Sequence, residues 1–280
     1  MSQMIIARLY IYFTPLSNII IPPFSSKISR TIFMKIFHEK LEKILNERLA
    51  FKSIIFTPIY YIEGKKFLFK SDDSNKILML KENNRYCFYV TMIRNYNDIF
   101  SFIQDFNLDI KLELFNNEII IDDFSLEFKS FENIIIEDKD LIKIIFKTPV
   151  LISFPKGWIK LNKKIPIRHS LFPIPSFMIH GLAEHWNIYA PNDLKIPNIA
   201  KLRAYTNYSL VEQDYDIKPI TVVYDEKRKP RGFIGWILYE HRKLNQELDN
   251  YILRLLDYAN YIGIGRSRSI GFGVVKVESK

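Results

Sequence analysis

Cysteine is nearly absent from the chain: Cys87 is the only one. That excludes a disulfide framework and a cysteine-built metal centre, and it fits a reducing cytoplasm. The apolar N-terminal run from Met4 to Pro15 is too short to span a bilayer. Pro, Ser and Lys follow it rather than a small-residue cleavage site, so neither a membrane span nor a signal peptide is read. Several catalytic signatures are also missing. No phosphate-binding G-x-x-x-x-G-K-[ST] loop and no Gly-x-Ser-x-Gly elbow occur. His180 and His185 stand five apart, on different faces of a helix, which is not the spacing of a zinc site. Asp72–Asp73 and Asp122–Asp123 have no partner histidines to suggest a metal nuclease. Neither a metal nor a cofactor is expected.

What the chain does have is basic and aromatic side chains. Forty Lys and Arg stand against 31 Asp and Glu, a net charge of +9 with a pI near 9.3. A charge of that size points to an anionic partner, most often nucleic acid. The plainer reading is a lysine-rich composition inherited from an AT-rich genome. Aromatic residues make up 15% of the 280 positions, enough for sizeable cores with rings left over for stacking.

Hydrophobic periodicity divides the chain into two similar cycles. "MIIARLYIYFTP" reads as a strand. From Ser25 or Ser26, a plausible N-cap, Ile32, Phe33, Ile36, Phe37, Leu41, Ile44, Leu45 and Leu49 recur at helical spacing. Strand-like runs follow in "SIIFTPIYY", "KFLFK", "KILMLK" and "RYCFYVTMI", then a short helix in "NDIFSFIQDF". Three further strands are read in "DIKLELF", "EIIIDDF" and "SLEFKSF". A second cycle opens near residue 140 with the strand "LIKIIFKTPVLIS" and the helix "PSFMIHGLAEHWNIY". "PITVVYDEKRKPRGFIGWILYE" reads as two strands around a basic turn. A helix through Leu248, Ile252, Leu255, Leu256, Ala259 and Ile262 then ends at Gly263, before a last strand. The order predicts an α+β protein, a tandem of two ferredoxin-like domains over 1–138 and 139–280.

Nine glycines serve the whole chain, and four of them, Gly263, Gly265, Gly271 and Gly273, crowd into "YIGIGRSRSIGFGVV". Arg266, Ser267 and Arg268 stand between the two pairs. Glycine frees the backbone for positive φ and for close approach, so successive amides and arginines here suit a phosphate backbone or a flat base. A tight connection where side chains would clash explains the same residues equally well.

"GIGRSRSIGFGVVKV" resembles the C-terminal glycine-rich signature of the CRISPR-associated repeat-RNA-processing endoribonucleases of the RAMP superfamily. "FIGWILY" with the helix ending "LLDYANYIGIG", "KIIFKTPVLI" and "FKSIIFTPIYY" resemble further parts of that family in the right order. The resemblance implies two RRM-like domains flanking a central cleft, with loop 263–273 at its C-terminal end. It also implies repeat RNA on a basic face and a cut made without metal that leaves a 2′,3′-cyclic phosphate and a 5′-hydroxyl. Non-catalytic RAMP subunits, which hold guide RNA in surveillance complexes, share the loop, so that function stays open beside the enzyme.

The family often places a histidine just after the first helix. Here that stretch reads "NERLAFKSIIFT", with Lys52 at the family's lysine position and Lys27 near its tyrosine position. His38 lies within the first helix on its polar face, either a surface histidine or a catalytic one. A histidine-free variant is therefore expected, with Lys27, Lys52, Arg231 and Arg268 as catalytic residues and Arg228 an alternative to Arg231. The RNA-binding set is Arg30, Lys227, Arg228, Lys229, Gly263, Gly265, Arg266, Ser267, Gly271 and Gly273. Each lysine read as a solvated surface charge is the simpler alternative. "PKGWIKLNKKIPIRH" extends the basic track through Lys156, Lys160, Lys163, Lys164 and Arg168, with Trp158 either stacking or packing. The expected partners are CRISPR repeat RNA, a surveillance complex and a second copy of the chain, with no membrane and a cytoplasmic setting. A basic adaptor that docks protein or membrane would need an amphipathic basic helix, and Glu39, Glu42 and Glu47 dilute the first helix for that role.

Overall fold

The computed structural model describes residues 4–37, 52–103, 110–154 and 168–280. Two compact units account for them. One comprises Met1–Phe131 with Val222–Lys229 and Ser269–Gly271, the other Glu132–Thr221, Pro230–Arg268 and Phe272–Lys280.

The first unit runs β1 (Met4–Pro15), β2 (Ile19–Ile20), α1 (Ser26–Ile36), β3 (Ile54–Phe56), β4 (Tyr60–Tyr61), β5 (Lys66–Phe67), β6 (Met79–Leu80), β7 (Tyr86–Asn95), α2 (Tyr96–Ile103), β8 (Ile110–Leu114) and β9 (Asn117–Ser130). Its main sheet is antiparallel in the order β5-β4-β7-β1-β9-β8. Alternation along β1 sends Leu9, Ile11 and Phe13 into a core shared with Ile28, Ile32 and Phe33 of α1. Each such side chain taken fully out of water contributes about 1.5–3 kcal/mol.

Two details differ from the sequence reading. "EIIIDDF" and "SLEFKSF" are one strand, β9, not two. A bulge opposite Tyr12 and Phe13 absorbs Asp122 as the extra residue. Thr14 Oγ1 donates to Asp122 at 2.7 Å, and Arg85 bridges Asp122 and Asp123 at 3.1 and 3.2 Å, which holds the bulge. Ser25 stands at the N-cap of α1 but does not cap it. Its hydroxyl instead donates to the Leu68 carbonyl at 2.5 Å and accepts from the Ile59 amide at 2.9 Å, tying two loops under the helix. His38, Leu41, Ile44, Leu45 and Leu49 lie outside the described residues.

The second unit runs β10 (Leu141–Val150), β11 (Ile152–Ser153), β12 (His169–Ser170), α3 (Pro175–Tyr189), α4 (Ile199–Ser209), β13 (Leu210–Thr221), β14 (Arg231–His241), α5 (Gln246–Ile262) and β15 (Val275–Ser279). Its sheet order is β13-β14-β10-β15, all antiparallel. Numbered as a βαββαβ unit that order is 2-3-1-4, the ferredoxin-like arrangement, and β4-β7-β1-β9 repeats it in the first unit. Asn245 caps α5 by accepting from the Leu248 amide at 3.0 Å, and the predicted apolar face of α5 is buried throughout. The sequence reading missed α4 and started β13 nine residues late, at Pro219. Most of β13 is polar and exposed, as an edge strand allows, so it carries little alternation.

Candidate nucleic-acid interface

The glycines resolve into two tasks. Within the second unit the loop folds back on its own entrance. Ile264 donates to the Gly273 carbonyl at 2.8 Å, Gly273 to Pro149 at 2.9 Å and Arg266 to Leu151 at 2.8 Å. Gly273 has φ +74°, and a Cβ there would run into the Ile264 carbonyl. Within the first unit, the loop tip Ser269–Gly271 sits at the start of α1. Ser26 Oγ donates to the Ile270 carbonyl at 2.6 Å. A Cβ on Gly271 would stand 2.8 Å from Pro58 Cδ and 2.9 Å from Ser26 Cβ. Close packing thus consumes the glycines, against backbone at Gly263, Gly265 and Gly273 and against side chains at Gly271, and the exposed residues are Arg266 and Ser267, the latter at φ +60°.

Lys27 follows Ser26 directly. Its ammonium lies 4.6 Å from the ring centroid of Tyr224. The guanidinium of Arg228 lies 4.5 Å from the same ring, and Phe24 packs against it at 5.6 Å between centroids. The hairpin tip that carries Tyr224 is tied down through residues 69–71, which bridge to Phe24 on one side and to Val222 on the other. Val223 adds a 3.0 Å bond to the Lys70 carbonyl. Arg30, one turn along α1 and exposed, is near enough to act on the Tyr224 hydroxyl. Burial raises the Tyr224 pKa above its ordinary value, Arg228 and Arg30 pull it down and Asp225 pushes it up, and the net shift is upward. The phenol is therefore neutral at neutral pH, a donor amid three cations.

Of the expected residues, the first unit thus brings together Lys27, Arg30 and Arg228. Lys52 is exposed on the approach to β3. Arg228 is also paired with Asp225 at 2.5 Å and Lys229 with Asp72 at 2.7 Å. The backbone amide of exposed Lys227 donates to Asp225 at 3.1 Å, and its ammonium has no carboxylate partner among the described residues. In the second unit Arg231 is exposed at the start of β14, and Arg266 donates to Ser153 Oγ at 3.2 Å. Gly263 ends α5 at φ +75°, and Gly265 lies against the Leu151 carbonyl. Arg268 turns inward and is only 8% exposed. Its guanidinium reaches the Gly263 carbonyl at 3.5 Å, near Tyr258, Glu184 and Tyr189. Burial pulls its pKa down to about 10. That is the placement of a group that holds the loop. Of the basic track, Lys156, Trp158, Lys160, Lys163 and Lys164 lie outside the described residues, and Arg168 stacks on Phe154 at 5.0 Å.

Tyr224 was missed by the sequence reading. Its signal was weak: one aromatic just before the run "DEKRKPR". His185, set aside as a ligand, bonds the buried Tyr258 hydroxyl through Nδ1 at 2.7 Å, and His180 faces Glu184 at 3.5 Å. No helix among the described residues is long and apolar enough to cross a membrane.

Comparison with known proteins matches the Cas6 N-terminal domain to residues 8–129 and CRISPR-associated endoribonuclease Cas6 to residues 144–275. Two curated relatives from Saccharolobus solfataricus carry the names CRISPR-associated endoribonuclease Cas6 1 and Cas6 2. They are 29% identical over 149 and 151 residues. The match spans about half of this chain and about half the length of each relative, 51% and 50%. Among solved structures, Thermus thermophilus Cas6 superposes with a TM-score of 0.68 at 14% identity, covering 99% of this chain and 100% of that one. The product of a Cas6-related gene from Pyrococcus furiosus gives 0.59 at 14% identity, covering 96% and 97%. At such identities the structural likeness speaks for the fold, a tandem of two ferredoxin-like domains.

Proposed function

Because the chain belongs to the Cas6 family of CRISPR-associated proteins, we propose that it is an endoribonuclease that cuts CRISPR repeat transcripts into guide RNAs without a metal. The observation that carries the reading is the cluster of Lys27, Arg30 and Arg228 around Tyr224, beside the point where the glycine-rich tip is tied to Ser26. A solved Cas6 product complex shares the fold, with a TM-score of 0.68.

In the proposed reaction the 2′-oxygen attacks phosphorus in line. Its proton passes to a basic side chain, the bond from phosphorus to the 5′-oxygen breaks, and that oxygen takes up a proton. The products are a 2′,3′-cyclic phosphate and a 5′-hydroxyl. Lys27, Lys52 and Arg231 are the proposed catalytic cations. Lysine, with a reference pKa of ~10.4, is a weak base at neutral pH. The main work of these cations is to hold the in-line geometry and to neutralise the phosphorane, so turnover is slow. Arg268 acts by holding the loop that presents Arg266 and Ser267. Cytoplasm is the proposed setting, and a surveillance complex and a second copy of the chain are the proposed protein partners.

The test is incubation with repeat RNA from the chain's own CRISPR array in excess EDTA. One cut is expected, leaving a cyclic phosphate, and it should vanish when the scissile nucleotide is 2′-deoxy. Salt-sensitive binding with no cut would make the chain a guide-RNA holder instead. Binding of the deoxy RNA also tests the hairpin. Lys227→Ala is expected to lower the slope of log affinity against log salt by about 0.7 for single-stranded contacts. Lys229→Ala, whose ammonium is already paired with Asp72, should change the slope less. Equal slopes for both variants and wild type would remove the hairpin from the RNA path.

A further inference from the structure

The second unit carries a cationic patch that the reaction above does not use in full. Strands β11 and β12 pair Ser153 directly with His169. Arg266 leans on the same spot: its guanidinium donates to Ser153 Oγ at 3.2 Å, and its amide is anchored on Leu151 at 2.8 Å. His169 is partly exposed, between the charge of Arg266 on the loop and the backbone of Arg231 on β14. Its chain neighbour Arg168 lies over Phe154. Among the described residues neither Arg231 nor Arg266 has a carboxylate partner, whereas Arg85, Arg228 and Arg242 each have one. Two guanidinium groups, a hydroxyl and an imidazole on adjoining strands and loop, with no carboxylate paired to either guanidinium among the described residues, suit an anionic ligand.

We propose that His169, with Arg266 and Ser153, binds a phosphodiester of the RNA, and that Arg231 adjoins this contact. The proposal rests on the reading of the chain as a repeat-RNA processor, and it adds a histidine to the residues proposed to bind RNA. The charged group acting on the ring is Arg266 from the loop, with Arg231 contributing through a hydrogen bond to its backbone. Burial and then the charge of Arg266 hold the imidazole pKa below its ordinary value, while the Arg231 backbone opposes them. The free protein therefore presents a neutral ring at neutral pH. A phosphate seated between Arg266 and His169 offsets the guanidinium charge, so the ring pKa rises on binding.

The experiment measures affinity for repeat RNA with a 2′-deoxy scissile nucleotide, at two salt concentrations, for wild type, His169→Ala, His169→Gln and Arg266→Ala. His169→Ala is expected to weaken binding about tenfold, as the loss of a hydrogen bond to a charged group does. His169→Gln keeps a donor and should recover most of that loss. Arg266→Ala should weaken binding by a similar factor and also lower the salt slope by about 0.7. A double variant carrying both His169→Ala and Arg266→Ala should lose less affinity than the sum of the two single losses in free energy, because both side chains share one phosphate. NMR titration of the His169 ring should show its pKa rise when the RNA is added. Wild-type affinity in both His169 variants, with an unmoved ring pKa, would overturn the contact while wild-type binding still upheld the RNA reading. Failure of the wild type to bind repeat RNA would instead overturn the reading on which the contact rests.

Discussion

Replacing Lys27 with alanine is expected to slow single-turnover cleavage of repeat RNA by about 10²-fold or more, the usual contribution of one positioned proton-transfer or charge-stabilising group. Binding of the uncleavable deoxy RNA should change less than tenfold, since one ammonium among many leaves most phosphate contacts in place. The reason for singling out Lys27 is its fixed position. A lysine has four rotatable bonds, and its ammonium is held 4.6 Å from the Tyr224 ring by a cation–π contact worth about 0.5–2 kcal/mol. Tyr224→Phe keeps that ring and should cleave at close to the wild-type rate. Tyr224→Ala releases the ammonium and should fall about tenfold below wild type. A Lys27→Ala protein that cleaves normally would place the chemistry elsewhere. A tenfold loss in Tyr224→Phe would give the phenol, neutral in this setting, a direct part in the reaction.

Arg268→Ala should act through stability. The side chain is nearly enclosed, and its guanidinium serves the Gly263 carbonyl at the point where α5 hands over to the loop. Truncation leaves that carbonyl without its partner and opens a cavity beside Tyr258, Glu184 and Tyr189. An unsatisfied buried acceptor costs about 1–3 kcal/mol, and the cavity adds to it. For a protein of this size that corresponds to a fall in melting temperature of roughly 5–10 °C. RNA affinity should fall with it, because the loop that presents Arg266 loses its anchor. A melting temperature unchanged from wild type, combined with lost cleavage, would instead return Arg268 to direct contact with the RNA.

The two variants separate what a sequence can say about a basic residue from what it cannot. Lys27 and Arg268 look alike on the page, each a cation next to a serine in a segment that the family resemblance marks. The fold gives them opposite surroundings. Lys27 stands half-exposed over an aromatic ring, whereas Arg268 is folded under its own loop. Tyr224 shows the same gap from the other side. Nothing in "VVYDEKRK" distinguishes its ring from any hairpin aromatic, and only the pairing of residues 69–71 with both Phe24 and Val222 brings it to α1.

The sequence by itself determined the composition of the fold: a βαββαβ cycle twice over, the apolar face of α5, and the crowding of four glycines into residues 263–273. The cycles and the helix face rest on periodicity, which is local and is repeated over many residues, whereas the clash that reserves Gly273 for glycine came only with the fold that brings the Ile264 carbonyl against it. Tertiary structure alone decided that Asp122 is a bulge, that Ser25 ties loops rather than capping α1, and that β13 is a long polar edge strand. It also decided which cations gather around Tyr224 and which around His169. Each of those depends on residues distant in the chain, joined by contacts that leave no period in the sequence.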